Sequence, residues 1–181
     1  TDAVLSISAR CSAEVGEVTW TLLDAAERTV AGGALGSDGR TAVTIARPRQ
    51  WSAEEPNLYT LLLTVHDRQR RVTEVVPQRV GFRQVEIRDG ELLLNGQHLV
   101  LHGVNRHDHD DHDGRAVGLA RMERDVVLMK QHNLNAVRTS HYPNDAVLYD
   151  LCDRLGRHVV DEADLETHAY LRSLLKDPRW G

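Results

Sequence analysis

The 181 residues are fewer than the roughly 250 of a complete (β/α)₈ barrel. The length is compatible with two small domains, or with one domain and part of another. The 22 basic and 27 acidic residues are interspersed and sum to a formal charge of -5, so no basic stripe follows phosphates and nucleic acid is not an expected partner. No apolar run approaches the ~20 residues of a membrane span, so a membrane is not an expected partner either.

The amino terminus and the cysteines bear on location. TDAVLSISAR lacks the charged-then-apolar pattern of a signal peptide. Cys11 and Cys152 are far apart and lie in different kinds of pattern, which does not suggest a disulfide framework. We therefore expect a cytoplasmic location.

Alternating apolar residues run through the first half of the chain, from residue 3 to about 83. The runs at 5–9, 18–22 and 59–65 have a period of two, which is typical of strands with one buried face. Turn residues, notably GSDGR at 36–40, separate the runs. Several short strands at this spacing predict an immunoglobulin-like β-sandwich domain over residues 1–84.

The pattern changes near residue 85. Asp89-Gly90 and Asn95-Gly96 can each supply the positive φ angles of a tight hairpin turn. From residue 98 the predicted order is strand, helix, strand, helix, strand, and Asn133 and Gly156 are expected to end the two helices. The apolar stripes of the helices are Leu119, Met122, Val126 and Met129 in the first and Leu148, Leu151, Cys152 and Leu155 in the second.

This order is typical of parallel βα units. We predict that residues 85–181 form the N-terminal portion of a TIM-barrel domain, truncated after its third strand. An open, doubly wound sheet is the alternative, but no glycine-rich phosphate motif follows any of the strands. An incomplete barrel exposes a sheet edge, so we expect self-association of the chain or partial disorder after residue 157.

Charged residues follow each of the three predicted strands. The strand ends carry Asn105 to His107, then Arg138 to Tyr142, then Asp161 and Glu162. In a barrel, functional residues gather at the carboxyl ends of the strands. For Asp161 and Glu162, an ion pair with Arg106 or Arg138 explains their position as well as a functional role does.

Four segments of the chain carry a family resemblance: WSAEEPNLYTL, VGFRQVEIRDGELLLNGQHLVLHGVNRHDH, LMKQHNLNAVRTSHYPNDAVLYDLCDRLG and VVDEADLETH. They resemble glycoside hydrolase family 2, and within it the large bacterial β-galactosidases. RTSHYP is shared with the β-glucuronidases of the family, but those typically follow the DE of the third strand with Cys-Pro-Gly, whereas ETH at 166–168 points to the galactosidase branch.

The resemblance implies a retaining glycosidase that hydrolyses terminal β-D-galactosides such as lactose. Such enzymes use two glutamates about 5 Å apart, one an acid/base and one a nucleophile. In this family both lie on later barrel strands, with the acid/base in an Asn-Glu pair that this sequence does not contain. We therefore expect the chain alone to be an inactive fragment. The resemblance also implies that the larger protein is a homo-oligomer such as a tetramer, and that the sandwich in this chain lacks its first strand.

The resemblance also implies roles for five residues. His107 and His141 match histidines that contact galactose and stabilise its transition state, and Arg138 matches an arginine that keeps the nucleophile ionised. Glu166 and His168 match two protein ligands of a catalytic Mg²⁺, whose third protein ligand is the acid/base glutamate. One carboxylate and one imidazole hold Mg²⁺ weakly, so we expect at most millimolar affinity.

Two alternative functions stay open. One is another family 2 glycosidase, such as a β-glucuronidase. The other is a noncatalytic sandwich module that binds a sugar or a protein. The stretch NRHDHDDHDG at 105–114 has the composition of a metal site, but the resemblance gives His109 and His112 no role, which favours a solvated loop for both.

Overall fold

A computed structural model of the chain describes residues 1–11 and 15–165, together with residues 168, 176 and 179. The chain divides into two compact units, Thr1–Leu99 and Val100–Gly181. No helix among the described residues is long and apolar enough to cross a membrane.

Antiparallel strands build the first unit. In the described residues they form a sheet of order β3-β2-β5-β6, a second sheet that pairs β1 with β4, and a third of order β7-β8-β9. The strands are β1 Ala3–Ser8, β2 Glu17–Leu23, β3 Thr29–Ala34, β4 Arg40–Ile45, β5 Tyr59–His66, β6 Val72–Val80, β7 Val85–Arg88, β8 Glu91–Leu94 and β9 Gln97–His98.

The core of the first unit lies between the first two sheets. Alternate residues of β1 and β2 turn inward, and Leu22 is fully buried because it faces β1 and β4 across this core. The prediction of a β-sandwich is confirmed. The buried residues that pack together are Leu5, Ile7, Trp20, Leu22, Ile45, Tyr59, Leu61 and Phe82.

Both predicted hairpin turns are present. Asp89 and Gly90 have φ of 53° and 82°, and Asn95 and Gly96 have φ of 52° and 78°, which are the signs that a two-residue hairpin turn requires. Asn95 also joins the hairpins to the sandwich, since its Nδ2 donates to the carbonyl oxygen of Trp51 at 3.1 Å.

The second unit alternates strands and helices, as predicted. Its parallel sheet has the order β10-β11-β12, and among the described residues it is an open sheet of three strands. The elements are β10 Gly103–Arg106, α1 Leu119–Gln131, β11 Ala136–Thr139, α2 Ala146–Leu155 and β12 His158–Val160.

The two helices cover this sheet through their apolar faces. Leu119, the first residue of the predicted stripe, is 57% exposed because it is the first residue of α1 and precedes the turns that pack. Gly156 ends α2 with φ of 74°, and Asn133 follows α1 with φ of 57°, as predicted. The buried core is Met122, Val126, Met129, Val137, Leu148, Leu151 and Cys152. Burial raises the pKa of the Cys152 thiol to about 12.

Candidate active site

The parallel register brings the three strand ends to one edge of the sheet. Asn105 lies opposite Arg138, and Arg138 lies opposite Val160. His107, His141 and Glu162 all come within three residues of these positions along the chain. Residues that are far apart in sequence are therefore neighbours here.

The two predicted histidines face each other. The ring centroids of His107 and His141 are 5.5 Å apart and their planes meet at 76°, an edge-to-face arrangement. The peptide bond between Ser140 and His141 is cis. Both rings are exposed, with 48% of the His141 side chain accessible, so a ligand can reach them.

Arg138 forms an ion pair with Glu162. Arg138 Nε donates to Glu162 Oε1 at 2.9 Å, and Arg138 Nη2 lies 2.7 Å from the same oxygen. The hydrogen bond from Arg138, followed by its charge, holds the pKa of Glu162 below its usual range. Of the explanations left open for Glu162, an ion pair with Arg138 is the one observed, and the pair is only partly buried.

His141 joins this pair through one ring nitrogen. Its Nδ1 lies 3.2 Å from Arg138 Nη2 and 3.3 Å from Glu162 Oε2. An unprotonated Nδ1 accepts from the guanidinium, and a protonated Nδ1 donates to the carboxylate. Either way Nδ1 is engaged with the protein, which leaves Nε2 as the ring nitrogen for a ligand.

A network of hydroxyl groups lies beneath the ion pair. Thr139, which is fully buried, accepts from the Glu162 backbone N–H through Oγ1 at 3.1 Å and donates to Asp161 Oδ1 at 3.1 Å. The Tyr149 hydroxyl donates to the same oxygen at 2.6 Å and accepts from the backbone N–H of Asn144 at 2.9 Å. Burial, then the bond to Asp161, raises the pKa of Tyr149. Asp161 is therefore held by hydroxyl groups.

Arg106 is a buried structural cation. Its Nε donates to Asp125 Oδ2 at 3.0 Å, its Nη1 donates to Asn144 Oδ1 at 2.8 Å, and it forms an ion pair with Asp108. These contacts join the end of β10 to α1 and to the segment before α2. The alternative in which Arg106 pairs with Asp161 or Glu162 is not the arrangement observed.

The loop at 107–114 is an ordered turn around one carboxylate. Asp110 accepts backbone N–H bonds from His112 at 2.9 Å and from Asp113 at 3.1 Å, and it forms an ion pair with Arg121. The bond from His112 and then those from Arg121 and Asp113 hold the pKa of Asp110 far below its usual range. His109 and His112 are exposed, in agreement with the predicted solvated positions.

The predicted Mg²⁺ ligands fall mostly outside the described structure. Glu166 is not among the described residues, and His168 is described as exposed. Across the described part of the chain, no group of three His, Cys, Asp or Glu side chains is placed to hold a metal ion.

Two residues next to the histidines were given no role from the sequence. Tyr142 places its hydroxyl 3.4 Å from His107 Nδ1, with ring centroids 5.9 Å apart, and the guanidinium carbon of Arg115 lies 5.2 Å from the Tyr142 ring centroid. The position of Tyr142 directly after His141 in RTSHYP was an available signal. No sequence signal marked Arg115, because only the folding of the chain brings it next to Tyr142.

Two family descriptions match the chain along almost all its length. The sequence model described as "Glycosyl hydrolases family 2, TIM barrel domain" matches residues 85–178, and the one described as "Glycosyl hydrolases family 2" matches residues 2–83. The chain belongs to glycosyl hydrolase family 2. Residues 2–83 are therefore the sandwich of this family, and residues 85–178 match the start of its TIM-barrel domain.

Curated relatives of this family 2 chain are named β-galactosidases. The Aeromonas hydrophila protein is 54% identical over 138 residues, which is 75% of this chain, and the Priestia megaterium protein is 52% identical over 137 residues, which is 73% of it. The Streptococcus thermophilus protein is 48% identical over 149 residues, or 81% of the chain. The chain spans between 13% and 14% of the length of these relatives.

Solved structures similar to this family 2 chain include β-glucuronidases. The enzyme from Ruminococcus gnavus in complex with D-glucuronic acid has a TM-score of 0.82 at 29% identity, covering 90% of this chain and 28% of that one. The enzyme from Faecalibacterium prausnitzii has a TM-score of 0.80 at 33% identity, covering 90% of this chain and 26% of that one.

Proposed function

We propose that this chain is part of a retaining β-galactosidase that hydrolyses terminal, non-reducing β-D-galactose residues. The observation that carries the proposal is the 54% identity with the Aeromonas hydrophila β-galactosidase over three quarters of the chain. The geometry supports it, because His107 and His141 form an accessible pair of imidazoles at the carboxyl edge of a parallel sheet.

In this proposal the two histidines contact the sugar. His141 uses Nδ1 for Arg138 and Glu162, so its Nε2 is directed to a sugar hydroxyl. Arg138, oriented by Glu162, lies beside the nucleophilic glutamate and keeps it ionised. The nucleophile and the acid/base come from later strands of the barrel, since the 181 residues contain no Asn-Glu pair.

A β-glucuronidase is the second candidate, favoured by the solved structures of that name at 29% and 33% identity. The curated relatives named β-galactosidases are between 48% and 54% identical to the chain. The higher identity ranks the galactoside first.

A chimera tests the proposal. The matched segment of this chain replaces its counterpart in the Aeromonas hydrophila β-galactosidase, and hydrolysis of nitrophenyl β-D-galactoside and nitrophenyl β-D-glucuronide is measured. We expect activity on the galactoside only, and a fall of about 100-fold in kcat/KM when His141→Ala removes the imidazole. A folded chimera that prefers the glucuronide, or that cleaves neither substrate, contradicts the proposal.

The isolated chain serves as the comparison for the chimera. We expect no galactoside turnover above background from the 181 residues, because both glutamates of the retaining mechanism are supplied elsewhere. Robust activity of the isolated chain would mean that the assignment of the missing glutamates is wrong. Binding of galactose without activity in the chimera would instead favour the noncatalytic module.

Mg²⁺ is proposed as the cofactor of the larger enzyme, with Glu166 and His168 among its ligands. Mg²⁺ requires about six ligands, so two protein groups hold it weakly. Titration calorimetry of the isolated chain with Mg²⁺ should give millimolar affinity or none. Micromolar binding that is lost in Glu166→Gln would show that the chain holds a complete site.

A further inference from the structure

A continuous path of hydrogen bonds runs beneath the candidate site. It begins at buried Arg106, which precedes His107 in the sequence. Arg106 Nη1 donates to Asn144 Oδ1 at 2.8 Å. The Asn144 backbone N–H donates to the Tyr149 hydroxyl at 2.9 Å, and that hydroxyl donates to Asp161 Oδ1 at 2.6 Å. The path thus crosses from the end of β10 through α2 to the residue after β12.

The second half of the path ends at the ion pair. Asp161 Oδ1 also accepts from the Thr139 hydroxyl at 3.1 Å, and Thr139 Oγ1 accepts from the Glu162 backbone N–H at 3.1 Å. Glu162 then holds Arg138 at 2.7 Å and His141 at 3.3 Å. The route therefore links Arg106, the neighbour of one histidine, to Glu162, the partner of the other.

We propose that Tyr149 is a positioning residue whose hydroxyl, acting through Asp161 and Thr139, sets where Glu162 holds Arg138 and His141. Tyr149 touches neither histidine in the described contacts, so its effect must pass through the path. Loss of the hydroxyl leaves the buried Asn144 N–H without its acceptor and Asp161 with one donor fewer. Asp161 is then free to shift, and the adjacent Glu162 with it.

This inference rests on the proposed function only for its catalytic consequence. Side-chain geometry in the isolated chain is a separate readout that needs no activity, so the two ideas can fail separately. Nuclear magnetic resonance of ¹⁵N-labelled chain reports the tautomer of His141 through its Nδ1 and Nε2 shifts, and the environment of Arg138 through its Nε–H signal.

The variant is Tyr149→Phe and its matched control is Tyr59→Phe. The Tyr59 hydroxyl also accepts one backbone N–H, that of Arg49 at 2.9 Å, but Tyr59 belongs to the sandwich unit. Both variants lose one hydroxyl and some stability. We expect only Tyr149→Phe to change the His141 tautomer and the Arg138 signal, and unchanged signals in a folded Tyr149→Phe chain would overturn the inference.

A second pair of variants changes Thr139, which lies between Asp161 and Glu162 in the path. This pair tests the inference if Tyr149→Phe does not fold. Thr139→Val removes the hydroxyl with little change in shape, whereas Thr139→Ser keeps it. Thr139→Val should change the His141 and Arg138 signals and Thr139→Ser should restore them. Equal signals in both folded variants would contradict the inference.

In the active chimera, kinetics supply a further test. A small displacement of groups that act on the transition state lowers kcat more than it raises KM. We expect Tyr149→Phe to lower kcat about 10-fold with KM within about two-fold, and Tyr59→Phe to change neither. Parallel changes in the two variants would indicate a purely structural role.

Discussion

At the scale of single residues, the candidate site depends on which cation pairs with which carboxylate. Arg138 pairs with Glu162, whereas Arg106 pairs with Asp108 and Asp125 although it lies next to His107. The sequence predicted that strand ends would carry these charges. It left the pairing open, because a pairing depends on side chains that meet across three strands and a helix.

Asp110 gives a prediction about pH. Its folded-state pKa is depressed, so its stabilising effect is complete above its ordinary pKa of 3.8 and is lost as the pH falls below that value toward the folded pKa. Asp110→Asn should therefore lower the urea midpoint of the chain at pH 7, and the difference from the parent chain should shrink as the pH falls below about 4. Circular dichroism at 222 nm reports the helices.

Asp111→Asn is the matched control for this prediction. Asp111 lies in the same loop and contacts Arg121 at 2.8 Å, but its side chain is 74% exposed. An exposed ion pair contributes little to stability, so the control should change the midpoint much less. A difference for Asp110→Asn that is the same at pH 7 and pH 3 would contradict the linkage.

At the scale of elements, the hairpin turns and the helix ends were predicted from turn residues and from the periodicity of apolar residues. Asp89-Gly90 and Asn95-Gly96 adopt the positive φ angles that their sequence indicates, and Gly156 ends α2 as expected. Leu119 matches the predicted stripe but is exposed at the start of α1. A periodic pattern indicates which residues share a face, but contacts with neighbouring elements decide how far along the helix that face is buried.

Gly156 offers a test at this scale. Its φ of 74° lies in the left-handed region, where a Cβ clashes with the backbone, so Gly156→Ala should lower the free energy of unfolding by about 1 kcal/mol. Urea unfolding followed by circular dichroism at 222 nm measures the change. A midpoint equal to that of the parent chain would refute the conformational argument.

At the scale of the whole molecule, the two family descriptions and the contacts divide the chain at different places. The descriptions meet between residues 83 and 85, whereas the compact units meet between Leu99 and Val100. The hairpins β7 to β9 account for the difference. Asn95 connects them to the sandwich by accepting from the Gln84 backbone N–H at 2.9 Å and donating to the Trp51 carbonyl at 3.1 Å.

Truncation tests this connection. A fragment of residues 1–99 should be more stable than one of residues 1–84 by about 1 kcal/mol for each hydrogen bond that the shorter fragment lacks, which are the bonds of Asn95 with the Gln84 backbone N–H and with the Trp51 carbonyl. Unfolding in urea followed by tryptophan fluorescence measures the difference. In the longer fragment, Asn95→Gly keeps the positive φ and removes both side-chain bonds, so it should account for part of the loss. Identical midpoints for the two fragments would show that the hairpins contribute nothing to the sandwich.

The sequence by itself determined the order and type of the elements, the hairpin turns, and the strand ends that carry the site residues, with His107 after β10 and Arg138 and His141 at the end of β11, because periodicity and turn residues act over a few positions. The tertiary structure decided what those residues touch: the Arg138–Glu162 pair, the contact of His107 with Tyr142, and the path through Tyr149 and Asp161. Each of these joins residues from different elements. Such contacts depend on strand register and helix packing, which local sequence patterns do not specify.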